Sequence, residues 1–215
     1  SADKDDKTVQ TWYGVVDGAA ITDGRTSLKG RSIVVGGIIN GRPVRAFEKA
    51  VLGDMANKKG WYVDLLTPPT GSATSGTADG ERMVGNQVVV GGTVLIASSI
   101  IPQSSDCDVS GKGFVNAIDM FTGGAVTSPF FDANGDGSLN YTTTANGQTT
   151  QGDSLGHGGE QIAIGSIDLG VGMPTDPSVL DNLVIVGGSK GTTGSVKIAK
   201  LISDGRISWR EILKD

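Results

Sequence analysis

Short apolar runs rich in Val and Ile recur along the chain. Several alternate apolar and polar positions with the period of two that marks a half-buried strand. They predict strands over Thr11–Val16, Ser32–Ile39, Trp61–Leu65, Asn86–Ser98, Gly113–Asp119, Gln161–Ile167, Asn182–Val186, Ser195–Ile202 and Ile207–Arg210. Between the runs stand Asp17-Gly18, Asp23-Gly24, Gly91-Gly92, Gly123-Gly124, Asp136-Gly137 and Asp204-Gly205. Asp-Gly between apolar runs signals a tight hairpin, because such turns need positive φ. The pattern therefore predicts a meandering antiparallel β protein. Three stretches depart from it. Pro68–Glu81 and Tyr141–Gly159 read as polar loops. Arg45–Lys59 fits a short helix carrying Phe47, Val51 and Met55 on one face, or equally a strand ending near Val51. None is long enough to divide the chain, so residues 1–215 read as one domain.

Two segments repeat the same order of features. Asn86–Val126 and Asp181–Trp209 each run from an apolar strand through a Gly-bearing turn to a second strand, which ends in Asp or Ser before another Gly turn. Gly113–Gly123 carries the pattern G-x-x-x-A-x-D-x-x-T-G, which resembles the repeat of quinoprotein-type β-propeller blades. Asp119 and Thr122 are expected to bond the turn backbone while Gly123 supplies the positive φ. The fold class read from the sequence is all-β, with antiparallel sheets in a β-propeller-like arrangement. At most one or two short helices are expected, and sheets of four strands.

Composition narrows the function. Of 215 residues 34 are Gly, roughly twice the usual share of about 7%, which disfavours a helical bundle. The net charge of −5 comes without a basic stripe, so nucleic acid is not an expected partner. Gly and Ser interrupt the longest apolar stretches well short of the ~20 residues of a membrane helix. The single Cys, Cys107, cannot close an internal disulfide. The chain opens at Ser1 without Met or a signal peptide, and reads as a processed chain or a fragment.

The sharpest chemical signal is Asp132-Ala133-Asn134-Gly135-Asp136-Gly137-Ser138-Leu139-Asn140. Oxygen-bearing side chains fall at loop positions 1, 3, 5 and 9 with Gly at 6, the first part of an EF-hand-like calcium loop. Alternate residues of a tightly curled loop point inward at one cation. The predicted Ca²⁺ ligands are the side chains of Asp132, Asn134, Asp136 and Asn140 with the Ser138 carbonyl. Position 12 is Thr143 rather than a bidentate Glu, so the shell would close with Asn140, water or a carboxylate from elsewhere, such as Asp153. A solvated Asx-rich hairpin is the plainer alternative, and Asn140-Tyr141-Thr142 is also a glycosylation sequon.

No constellation supports catalysis. His157 is the only His, which excludes a histidine triad or a multi-His zinc site. Asp106 and Asp108 flank Cys107 and disfavour a thiolate nucleophile. Gly187–Gly191 lacks the residue order of a phosphate loop. Trp12, Trp61 and Trp209 sit in β runs, where packing is their expected role.

Four stretches together resemble the C-terminal β-propeller region of the PilC/PilY family of type IV pilus biogenesis factors. Lys59-Gly60-Trp61-Tyr62-Val63-Asp64-Leu65, followed by Gly80-Glu81-Arg82-Met83-Val84, is similar to the family's GWYLDL…GERV signature. Asn116-Ala117-Ile118-Asp119 with Thr122-Gly123-Gly124 resembles its next strand and turn. Phe130–Gly137 resembles its FFDxNGDG segment, and Arg206–Glu211 its C-terminal ending. The first ~55 residues match loosely, through Trp12–Asp17, and the insertion at Pro68–Asp79 departs from the family pattern. Family members carry further chain. At 215 residues this one holds about four blades' worth of sequence, and an open propeller edge invites pairing with another chain.

The resemblance implies a non-enzymatic, extracellular, pilus-associated protein with pilins or minor pilins as partners. It also implies a role in the balance of pilus extension and retraction, and tip-associated adhesion. The residues leave two other readings: a quinoprotein-like dehydrogenase fragment, or a generic extracellular binding module with structural calcium.

Overall fold

The computed structural model describes residues 5–18, 20–68, 76–102 and 111–200. The expected strand Ile207–Arg210, Trp209 and Cys107 lie outside them. Among the described residues every element is a strand except one 3-10 turn, Gly24–Ser27.

A seven-stranded antiparallel sheet forms the centre. Its strands run in the order Ile33–Ile39, Arg42–Phe47, Ser166–Ile167, Lys112–Asp119, Val94–Ile101 and Arg82–Met83, with Val88–Val90 also paired to Val94–Ile101. Thr11–Val15 pairs antiparallel with Gly60–Asp64, which takes Lys29–Arg31 in parallel on its other edge. A third sheet joins Ser178–Leu180, Leu183–Gly187 and Thr193–Lys197. Three two-stranded pieces complete the description, Leu66–Thr67 with Thr77–Ala78, Thr143–Ala145 with Gln148–Thr150, and Ser154–His157 with Glu160–Ala163.

The period of two sorts the central strands into two cores. Val44, Ile96, Val115, Ala117 and Ile167 pack with Phe130, Phe131, Val184, Val186, Val196 and Ile198. Phe47, Ala97 and Ile118 pack with Trp12, Trp61, Val63 and Leu65. The second face also carries a buried polar row. Arg45 donates to both Glu81 carboxylate oxygens at 2.6 and 2.8 Å, and its guanidinium lies 3.7 Å from the Phe114 ring centroid. The Ser99 hydroxyl donates to Glu81, and the Asn116 amide and Ser166 hydroxyl extend the network. Removing one partner of such a pair leaves an uncompensated buried charge, which costs about 3–5 kcal/mol.

Several elements differ from the sequence reading. Arg45–Lys59 holds no helix: the strand Arg42–Phe47 ends at buried Phe47, and turns follow in which Val51 is exposed. Asn86–Ser98 is two strands reversed at Gly91 and Gly92, whose φ angles are +59° and +72°. Gln161–Ile167 likewise breaks between Ala163 and Ser166. Tyr141–Gly159, expected as loop, contains the Thr143–Thr150 hairpin, turned by Asn146 and Gly147 at φ +52° and +75°. Among the described residues the sheets have two, three or seven strands rather than four.

Candidate metal centre

Phe130 and Phe131 launch the Asp132–Asn140 loop from the first core. Both rings are enclosed, edge to face with centroids 5.2 Å apart, and burying each contributes about 1.5–3 kcal/mol. The Phe130 carbonyl accepts the Ala199 N–H at 2.8 Å, and the Asp132 N–H donates to the Lys197 carbonyl at 2.9 Å. Phe131 and Ile198 form an antiparallel bridge. The first loop residue is thus fixed to the end of Thr193–Lys197 by backbone alone.

From Asp132 the chain curls back on itself. Gly135 and Gly137 take φ of +74° and +83°, a region that costs Gly nothing and strains other residues. Asp132 is only 6% exposed. Its Oδ2 accepts the Gly137 N–H at 3.1 Å. Its Oδ1 is buried without a hydrogen-bond donor among the described residues. An unsatisfied buried polar atom costs about 1–3 kcal/mol, more when charged; a hard cation would satisfy it.

The remaining residues cluster through short-range bonds. Asn134 Oδ1 accepts the Asp136 N–H at 3.1 Å, and Asn134 Nδ2 donates to Asp136 Oδ2 at 2.9 Å and to the Gln151 carbonyl at 3.0 Å. Asp136 Oδ1 accepts the Ser138 N–H at 2.7 Å. The Asn140 side chain is exposed, and it forms no hydrogen bond among the described residues. Asn40, in the turn between Ile33–Ile39 and Arg42–Phe47, donates to the Asn134 carbonyl at 3.2 Å and pins the loop from outside. No group of three or more His, Cys, Asp and Glu side chains converges among the described residues. Formal charge in the candidate set therefore comes from Asp132 and Asp136, and the other donors are neutral oxygens. That donor set fits calcium, which accepts mixed carboxylate, amide and carbonyl oxygens in flexible geometry.

Two residues beyond the loop shape its electrostatics. Asp153 is 1% exposed and lies beside the loop. Burial pushes its carboxyl above the usual range. Hydrogen bonds from the Asn134, Ala133 and Asn140 amides pull it back, and the Asp132 charge adds to the rise. Lys197 brings its ammonium within 3.8 Å of where a Cβ on Gly137 would sit. The spacing of oxygen residues reveals neither Lys197 nor the part Asp153 plays; both arrive through the fold.

The other sequence candidates take structural places. His157 is exposed at the end of the strand Ser154–His157. Trp12 and Trp61 are enclosed, edge to face at 5.5 Å. The Trp61 Nε1–H donates to the Met120 carbonyl at 2.9 Å, and the indole fills space that a Cβ on Gly14 or Gly123 would need. Neither ring offers a free face to a quinone. The turn after Lys112–Asp119 forms as its residues imply. Asp119 Oδ1 accepts from the Phe121 and Thr122 N–H groups at 3.0 and 2.9 Å, and Gly123 takes φ +67°.

The described residues form largely antiparallel sheets with one 3-10 turn, the all-β class. Comparison with known proteins gives the particular kind. Over its whole length the chain is 35% identical to a stretch of the "Type IV pilus biogenesis factor PilY1 homolog" of Xylella fastidiosa. It spans 16% of that protein. In fold, 91% of the chain matches 38% of the Pseudomonas aeruginosa PilY1 C-terminal domain, with a TM-score of 0.61 and 18% identity. No family model matches the chain. The resemblance to the C-terminal β-propeller region of the PilC/PilY family thus extends across the chain in sequence and in fold. The chain is related to a type IV pilus biogenesis factor.

Proposed function

We propose that the protein acts in type IV pilus biogenesis as a non-enzymatic, calcium-binding module at the cell surface. Pilins or minor pilins are its partners, and tip-associated adhesion is part of the role. The observation that carries the calcium reading is Asp132, buried with an unpartnered carboxylate oxygen at the first position of a loop spaced for calcium. Ca²⁺ would be held by the side chains of Asp132, Asn134, Asp136 and Asn140 and by the Ser138 carbonyl. Bound there, it supplies positive charge that neutralises two carboxylates and cross-links the loop.

The protein's own residues do the rest. For Asn134 Oδ1 and Asp136 Oδ2 both to face the ion, the contact between Asn134 Nδ2 and Asp136 Oδ2 would have to open. The Asp132 N–H bonds the Lys197 carbonyl, so a cation on its carboxylate would bear on the sheet of Thr193–Lys197. Two formal charges and no bidentate Glu favour the weak affinity of extracellular modules, ~10⁻⁴–10⁻³ M, which matches calcium outside a cell. At such a site occupancy follows the surroundings, so surface calcium would set how firmly the loop is fixed.

The test is made in cells, with the whole protein. A strain lacking it is complemented with wild type or with the Asp136→Ala variant, and surface pili are counted at equal protein abundance. The variant should yield fewer surface pili. Wild-type pilus numbers from a variant that no longer binds calcium would remove the calcium site from the biogenesis role.

A further inference from the structure

We infer that Asp153 is the positioning residue of the calcium loop, holding its backbone in shape rather than ligating the ion; this rests on the calcium reading above. Asp153 Oδ1 accepts the Ala133 N–H at 2.7 Å and the Asn134 N–H at 3.2 Å, and Oδ2 accepts the Asn140 N–H at 3.3 Å. The Asp153 N–H donates to the Asn140 carbonyl at 2.6 Å, and its carbonyl accepts the Ile164 N–H at 3.1 Å. One buried residue thus bridges loop positions 2 and 3 to position 9 and ties all three to the strand pair Ser154–His157 and Glu160–Ala163.

The chemistry separates the two buried carboxylates. Asp132 keeps Oδ1 free of donors, whereas both Asp153 oxygens are engaged by amides. A carboxylate satisfied by three N–H groups has little left to offer a cation; the unsatisfied one has a full oxygen. Asp153 does not replace the bidentate ligand that a helical EF-hand carries at position 12. Here that position is Thr143, which is exposed and in the hairpin strand Thr143–Ala145. What Asp153 supplies, from outside the loop, is closure through backbone. Without it the first and last ligands, Asp132 and Asn140, lose their fixed spacing.

The test uses this chain with Asp153→Ala and Asp153→Asn. The Asn variant keeps one acceptor oxygen but sets an amide NH₂ against the Asn140 N–H. Amide hydrogen exchange without calcium is read first. The Ala133, Asn134 and Asn140 amides should exchange at least about tenfold faster in both variants, while core amides such as those of Ile118 and Val184 keep their protection. Calcium affinity by calorimetry should fall about 10–100-fold, the cost typical of losing an outer-shell partner. Europium luminescence lifetimes should count the same bound waters in wild type and Asp153→Asn. Unchanged exchange at the three amides would overturn the inference, and so would an extra water on europium, because Asp153 would then be a ligand. Absence of calcium binding by wild type would overturn the calcium reading, while the exchange data still decide whether Asp153 holds the loop.

Discussion

Arg31 is fully enclosed, and its guanidinium donates to both oxygens of Asp54 at 2.6 and 3.0 Å and to the Thr122 carbonyl at 2.9 Å. The pair ties the turn after Arg42–Phe47 to the turn after Lys112–Asp119. Hydrogen bonding by Arg31 draws the Asp54 carboxyl down to about 2, from 3.8. A carboxyl lowered on folding contributes stability that is complete above its unfolded pKa and lost as pH falls through the folded one. The window is therefore pH 4 to 2. The difference in urea midpoint between wild type and Asp54→Asn should be largest near pH 5 and shrink steadily toward pH 2. A difference that stays constant across that range would mean the pair is not what stabilises these turns.

Such residue-scale chemistry was partly legible in the sequence. The loop holding Asp132, Asn134, Asp136, Ser138 and Asn140 stands out in the sequence because alternate oxygens in a Gly-bearing loop form a local pattern. The grip of Asp153 does not, since its partners are backbone amides at least thirteen positions away. Arg45 and Glu81 were equally hidden: a charged residue reads as exposed until a partner 36 positions distant is known to meet it.

At the scale of elements, the turn at Thr122–Gly124 shows why a short motif can fix a strand pair. Trp61 occupies the space beside Gly123, its Nε1–H bonds the Met120 carbonyl, and Gly123 lies in the left-handed region. Ala at 123 meets both obstacles at once, backbone strain and an indole with nowhere to go. Gly123→Ala should cost about 2–4 kcal/mol by chemical denaturation. A loss under about 0.5 kcal/mol, the range of ordinary surface changes, would show that the indole does not dock there.

Where the sequence misled, the cause was also local. Val88–Val90 and Val94–Ile101 fused into one expected strand because only Gly91-Gly92-Thr93 divides them. Arg42–Phe47 was obscured by Pro43 and by buried Arg45, which break the alternation of an amphipathic strand. The Thr143–Thr150 hairpin is exposed on both faces. It therefore carries no apolar period to read.

For the whole molecule, the candidate calcium loop stands at a junction. Its start is anchored in the core of Phe130 and Phe131 and bonded to the end of Thr193–Lys197. Its side is pinned by Asn40 of the central sheet, and its close is held by Asp153. A cation there would bear on three separate pieces of the fold. The central claim, that Asp132–Asn140 binds calcium through Asp132 and Asp136, is tested most directly by calorimetry. Calcium is titrated into wild type and Asp136→Ala, then repeated with magnesium in excess. Wild type should give a saturable isotherm with a dissociation constant of about 10⁻⁴–10⁻³ M, little affected by magnesium, whose tight octahedron suits the loop poorly, and Asp136→Ala should give none. Equal heats for the two proteins, or no heat from wild type at millimolar calcium, would contradict the account and leave the loop a solvated turn.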